Sequence, residues 1–82
     1  MLTKTDRTSK FKAIEVLRKV RVANLERLKE AHGTWAALGR ATGHGGTFLI
    51  AIHSGRRNIG EVLARDIERQ LKLLPLWLDK TH

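Results

Sequence analysis

Eighty-two residues make one small domain and leave no room for a second core. With no Cys there is neither a disulfide framework nor a thiolate metal site. The longest unbroken apolar run, Phe48–Ile52, is far too short to span a bilayer, and 16 Lys and Arg against eight Asp and Glu give a net charge of +8.

A positive chain of this size is drawn to polyanions, nucleic acid before anionic membrane. The charge is uneven: residues 1–22 carry seven basic and two acidic residues, and residues 23–82 carry nine and six. The opening "MLTKTDRTSK" has no apolar core and does not read as a secretory signal, so the expected compartment is the cytoplasm. A domain this small buries only about 60–65% of its unfolded surface, and a dimer would help it.

In chain order, residues 1–9 are polar and read as a frayed arm. From about Lys10 the pattern is helical. Ile14, Leu17, Arg21, Leu25 and Leu28 fall near one stripe, with Lys and Arg on the other faces. The segment up to His32 is one long helix, or two joined near Arg21–Asn24 with Asn24 as an N-cap. Residues 1–20 are therefore expected as a basic arm or helix extension and residues 21–82 as the domain proper. Thr34 suits the N-cap of a second helix, Trp35–Thr42, closed by Gly43. Gly45, Gly46 and Thr47 open a third helix with Leu49 and Ile52 inward, and Gly55 closes it. "RRN", Arg56–Asn58, makes an exposed basic loop. Asn58 would cap a fourth helix, Ile59–Leu73, with Val62, Ile67, Leu71 and Leu74 inward. Pro75 stops it, and "LWLD" forms a last turn whose Leu76, Trp77 and Leu78 need burial. The expected fold is all-α, a compact bundle of four or five short helices.

The spacing around Gly43 bears on function. Two short helices packed steeply need a small residue where their backbones meet, and a Gly in the turn. Gly39 lies four before Gly43, and the apolar Leu49 and Ile52 lie six and nine after it. With "ANLERLKEAHG" before them, "WAALGRATG", "SGRRNIGEVLARDIE" and "LPLWLD" make residues 21–79 resemble the small phage-repressor-like helix-turn-helix proteins, the lambda-repressor-like or Xre-type family. That resemblance implies a five-helix domain that binds double-stranded DNA, usually as a homodimer on a two-fold operator, in a phage- or prophage-type transcriptional regulator. The third helix would enter the major groove with Gly46, Thr47, Phe48, Ile50 and Ala51 outward, toward base edges. Thr34, Trp35, Arg40, Arg56, Arg57 and Asn58 would face phosphates.

The outward set departs from the family habit of Gln, Ser, Asn or Arg, because Thr47 alone carries a hydroxyl. Trp35 stands where a phosphate-holding Gln is common, and His44 where an apolar turn residue is usual. Two readings answer this. Apolar side chains can meet thymine methyls while shape and backbone contacts add specificity. Alternatively, Phe48 and Ile50 form a protein-binding patch, as in an adaptor or antirepressor. Lys4, Arg7, Lys10 and Lys12 are a solvated tail or an arm on DNA. His32, His44, His53 and His82 lack ligand spacing, so no metal is expected. Gly43, Gly45 and Gly46 lack the strand and Lys of a nucleotide loop. No cofactor and no enzyme activity is expected.

Overall fold

The computed structural model describes residues 2–82, with side chains from Ala13 onward. Four α-helices follow one another: α1 (Leu2–His32), α2 (Trp35–Thr42), α3 (Gly46–His53) and α4 (Glu61–Gln70). A 3-10 turn, Trp77–Asp79, completes the order. No strand occurs among the described residues, and no helix among them is long and apolar enough to cross a membrane.

At 1.5 Å per residue, the 31 residues of α1 span about 46 Å, close to the longest dimension of the molecule, 49 Å. The helix absorbs the expected arm and passes unbroken through Arg21–Asn24. No Gly or Pro interrupts it there, and the Asn24 side chain turns inward instead of capping. The anticipated stripe is buried only from Arg21 onward, at Leu25 and Leu28. Among the described residues, Ile14 and Val16 stay exposed, because they lie N-terminal to the part of α1 that enters the core. Arm contacts expected of Lys4, Arg7, Lys10 and Lys12 lie outside the described side chains.

The core gathers Leu25 and Leu28 of α1, Leu38 of α2, Leu49 and Ile52 of α3, Ile59, Ala64 and Ile67 around α4, and Leu78. Each buried Leu or Ile contributes roughly 1.5–3 kcal/mol. The α2–α3 corner is made by local chemistry. The Thr34 hydroxyl accepts from the Ala37 N–H at 3.0 Å, and Gly43 closes α2 at φ +76. A Cβ on Gly39 would sit 2.6 Å from the Gly46 nitrogen, so the two helices meet backbone to backbone there.

The fourth helix differs from the expectation. It starts at Glu61 with Gly60 as its N-cap, two residues beyond Asn58, and ends well before Pro75. Lys72 takes a left-handed conformation (φ +58), and the Leu73 N–H reaches back to the Glu68 carbonyl at 2.8 Å, the pattern of a Schellman close. That early stop breaks the assumed periodicity. Ala64, Ile67 and Glu68 face inward, while Val62 (84% exposed) and Leu74 (73%) point outward. Leu76 is also exposed, whereas Leu78 is fully buried.

Residues 77–80 are held to α1 by polar groups. Arg21, only 5% exposed, grips Asp79 with two hydrogen bonds, Nε to Oδ1 at 2.7 Å and Nη2 to Oδ2 at 3.0 Å. It also donates to the Ile59 carbonyl at 3.1 Å and to Glu61 at 3.0 Å. Asn24 donates to the carbonyls of Leu78 and Lys80 at 2.9 and 2.7 Å. Buried Glu68 accepts the N–H groups of Leu76 and Leu78. Arg65 adds bonds to Asp79, Glu61 and Glu68 through its Nη atoms, while its Nε, 2.9 Å from Glu68 Oε1, is not aligned to donate. The hydrogen bond from Arg21 holds the Asp79 carboxyl well below the usual range, at about 2.

Candidate nucleic-acid interface

The orientation of α3 decides which of its side chains can meet a partner. Leu49 and Ile52 are fully buried, and successive residues turn by about 100° around the axis. The opposite stripe is therefore Thr47, Ile50, Ala51 and the following Ser54. Thr47, Ile50 (40% exposed) and Ser54 are exposed, and Ala51 is half-buried.

Two residues expected on that outward face are on its flanks. Gly46 turns its missing side chain toward α2, where a Cβ would lie 3.1 Å from the Trp35 carbonyl oxygen and 3.2 Å from the Ala36 Cα. It allows helix packing rather than approach to a groove. Phe48 is half-buried against the core. Its ring stacks on His44, centroids 6.0 Å apart, and the Arg57 guanidinium carbon lies 5.5 Å from its centroid. A free apolar patch formed by Phe48 and Ile50 is accordingly absent; Ile50 alone of the pair is exposed. His44 has its own task. Its Nε2 lies 2.6 Å from Asp66 Oδ2, tying the α2–α3 turn to α4, and that hydrogen bond, with Arg69 second, holds the Asp66 carboxyl below its ordinary range.

The expected phosphate-facing residues fall into two groups. Thr34 and Arg40 are exposed at the two ends of α2, and Arg40 lines a shallow depression of about 460 Å³ with Trp35, Thr47 and Ile50. Trp35 is half-buried, its ring tilted against the His53 imidazole at 5.1 Å, so it braces α2 on α3. Arg56, Arg57 and Asn58 are exposed beyond the end of α3. The Ala51 carbonyl accepts the N–H groups of Arg56 and Arg57 at 2.9 and 3.2 Å, which folds this loop back on the helix. Arg56 Nε donates to the Ser54 hydroxyl at 3.1 Å. Asn58 is not a helix cap.

Sequence reasoning missed Ser54, although it lies four residues after Ile50 and seven after Thr47, on the same helical stripe. It also missed Arg18 and Lys19, which share a cleft with Arg57 and Asn58. Their signal was the charge density of residues 1–22.

The surface thus combines two hydroxyls, a short apolar stripe and cations at either end of α3. Such a surface can donate to or accept from a polar edge, touch a methyl group and neutralise phosphates. Among the described residues, no group of three or more His, Asp or Glu could hold a metal ion. Comparisons with protein-family models, curated proteins and solved structures return no match for the chain.

Proposed function

We propose that the chain is a double-stranded DNA-binding protein of the phage-repressor type, with α2, the Gly43 turn and α3 as its helix-turn-helix and α3 as the helix that enters the major groove. The observation that carries this reading is the cation pattern around α3. The exposed stripe Thr47–Ile50–Ala51–Ser54 is bracketed by Arg40 on one side and by Arg56 and Arg57 on the other, on a chain of net charge +8. Phosphate contacts of this kind fix orientation, while side chains between them meet base edges. Thr47 and Ser54 supply the hydroxyls, and Ile50 and Ala51 supply methyl groups that match thymine. Specificity leans partly on DNA shape, because so few hydrogen-bonding groups face outward.

A regulator of this type acts in the cytoplasm and binds a two-fold site as a homodimer. Exposed Val62, Leu74 and Leu76 are apolar surface available to a second copy. The alternative, a protein-binding adaptor, loses its main anchor with Phe48 packed on the core.

The test is selection from a random duplex pool of about 20 base pairs on immobilised protein at about 150 mM salt, where nonspecific binding is weak. Enrichment of a palindrome is the expected result. Retention without enrichment would reduce the chain to a backbone binder, and no retention would overturn the reading.

A further inference from the structure

Between α1 and the loop after α3 lies an open cleft of about 450 Å³. Arg18 and Lys19 stand on the α1 wall, Arg57 and Asn58 on the loop wall, and Val22, Ile52 and Ile59 supply apolar lining. Most carboxylates of the domain are engaged internally. Glu61, Glu68 and Asp79 are engaged by Arg21 and Arg65, and Asp66 by His44 and Arg69. Glu26, the one acidic lining residue, lies 3.4 Å from His53. Among the described residues, Arg18, Lys19 and Arg57 form no ion pair, as is true of Arg27, Lys29, Arg40, Arg56, Lys72 and Lys80, but these three alone share the cleft. Three cations against the single carboxylate of Glu26 leave this concavity with surplus positive charge, and an anion entering it relieves the mutual repulsion.

We infer that this cleft is a second phosphodiester site, which seats the DNA strand beyond α3 and makes α1 part of the interface. The inference rests on the DNA-binding reading. Three features favour a strand over a lone ion. The cations stand on opposite walls, as they would to reach successive phosphates. Apolar lining suits a sugar ring better than a hydrated ion. Arg57 and Asn58 belong both to the cleft and to the loop beside α3, so one strand can run continuously from one to the other.

The experiment compares salt dependence of binding to a 20-base-pair duplex for the full chain and three double variants. Each phosphate neutralised adds about 0.9 to the slope of log affinity against log salt. Arg18→Ala with Lys19→Ala is expected to lower that slope by about 1 to 2, shrinking the affinity ratio between about 50 and 200 mM salt roughly tenfold. Lys72→Ala with Lys80→Ala removes the same charge away from the cleft and is expected to leave the slope nearly unchanged. An equal fall in both would mean that overall charge matters and the cleft does not, overturning the inference. If only Arg56→Ala with Arg57→Ala lowers the slope, the cleft is overturned and the DNA-binding reading stands. If the unaltered chain binds no duplex, both fail. Loss of heparin binding in the Arg18, Lys19 variant with duplex binding intact would assign the cleft to another polyanion and overturn it as a DNA site.

Discussion

Between α2 and α3 the backbones touch, with Gly39 and Gly46 giving up side chains so that carbonyl and amide groups can approach. Between α1 and residues 77–80 the link is made by side chains, with Arg21 and Asn24 reaching from α1 and Glu68 from α4. The first junction is specified by what is missing and is short in sequence. The second is specified by charge and spans 58 residues from Arg21 to Asp79. Close packing tolerates no added atom, whereas a buried ionic junction tolerates no lost partner.

The largest effect expected from breaking this contrast is at the ionic junction. Arg21→Ala leaves Asp79 without its bidentate partner and opens space beside Ile59, and denaturant unfolding should show a loss of about 3–5 kcal/mol. The sharper version replaces both members, Arg21→Met with Asp79→Leu. This pair should recover most of that loss if the junction matters for geometry more than for energy.

Gly39→Ala addresses the packed junction. Its Cβ would press on the Gly46 backbone, which cannot rotate away as a side chain can, and a loss of about 1–3 kcal/mol is expected in the same assay. The duplex affinity of the folded fraction should fall too, because α3 would be pushed off its seat on α2.

Acid separates the two junctions without mutation. The Asp79 carboxyl, lowered from 3.8 to about 2 in the folded chain, contributes stability above its unfolded value. That contribution is lost as pH falls from about 4 through about 2, roughly 2 kcal/mol at 1.36 kcal/mol per pH unit. The Asp66 carboxyl, also lowered, adds in the same direction. A pH titration of stability should show this loss, and Asp79→Asn should flatten most of it. The glycine contact has nothing to titrate.

Smallest of all is Lys72→Gly. Lys72 holds a left-handed φ of +58 in the close of α4, which glycine adopts without a Cβ penalty, so a gain of about 1 kcal/mol is expected from thermal unfolding.

The same contrast explains what could be read from residue order. The α2–α3 corner was legible because its signals are local: Thr34 as cap, Gly43 as stop, and Leu38, Leu49 and Ile52 in register. The ends of α4 were not. Its stop is made by backbone hydrogen bonds around a lysine, and Pro75, the obvious breaker, plays no part in it. Arg21 was placed on the correct face, whereas Asn24 was read as a cap; the partners of both lie 38 or more residues away, and nothing local points to Asp79 or to the carbonyls of Leu78 and Lys80. In the candidate interface, outwardness followed from helical period for Thr47, Ile50 and Ala51. Phe48 and Gly46 were misplaced because the side on which α2 and Arg57 lie is a tertiary matter.

The long span of the ionic junction also bears on the order in which the molecule assembles. Closing the α2–α3 corner joins residues seven apart, whereas bringing Asp79 to Arg21 closes a loop about eight times longer. At roughly 0.6 kcal/mol per doubling, that adds about 2 kcal/mol of chain entropy before any bond forms. The corner can therefore nucleate early, with the grip of Arg21 as a late event. Until that grip closes, Leu78 lacks its seat in the core, and a nascent chain that has not yet delivered Asp79 carries its α2–α3 corner on an unlatched first helix.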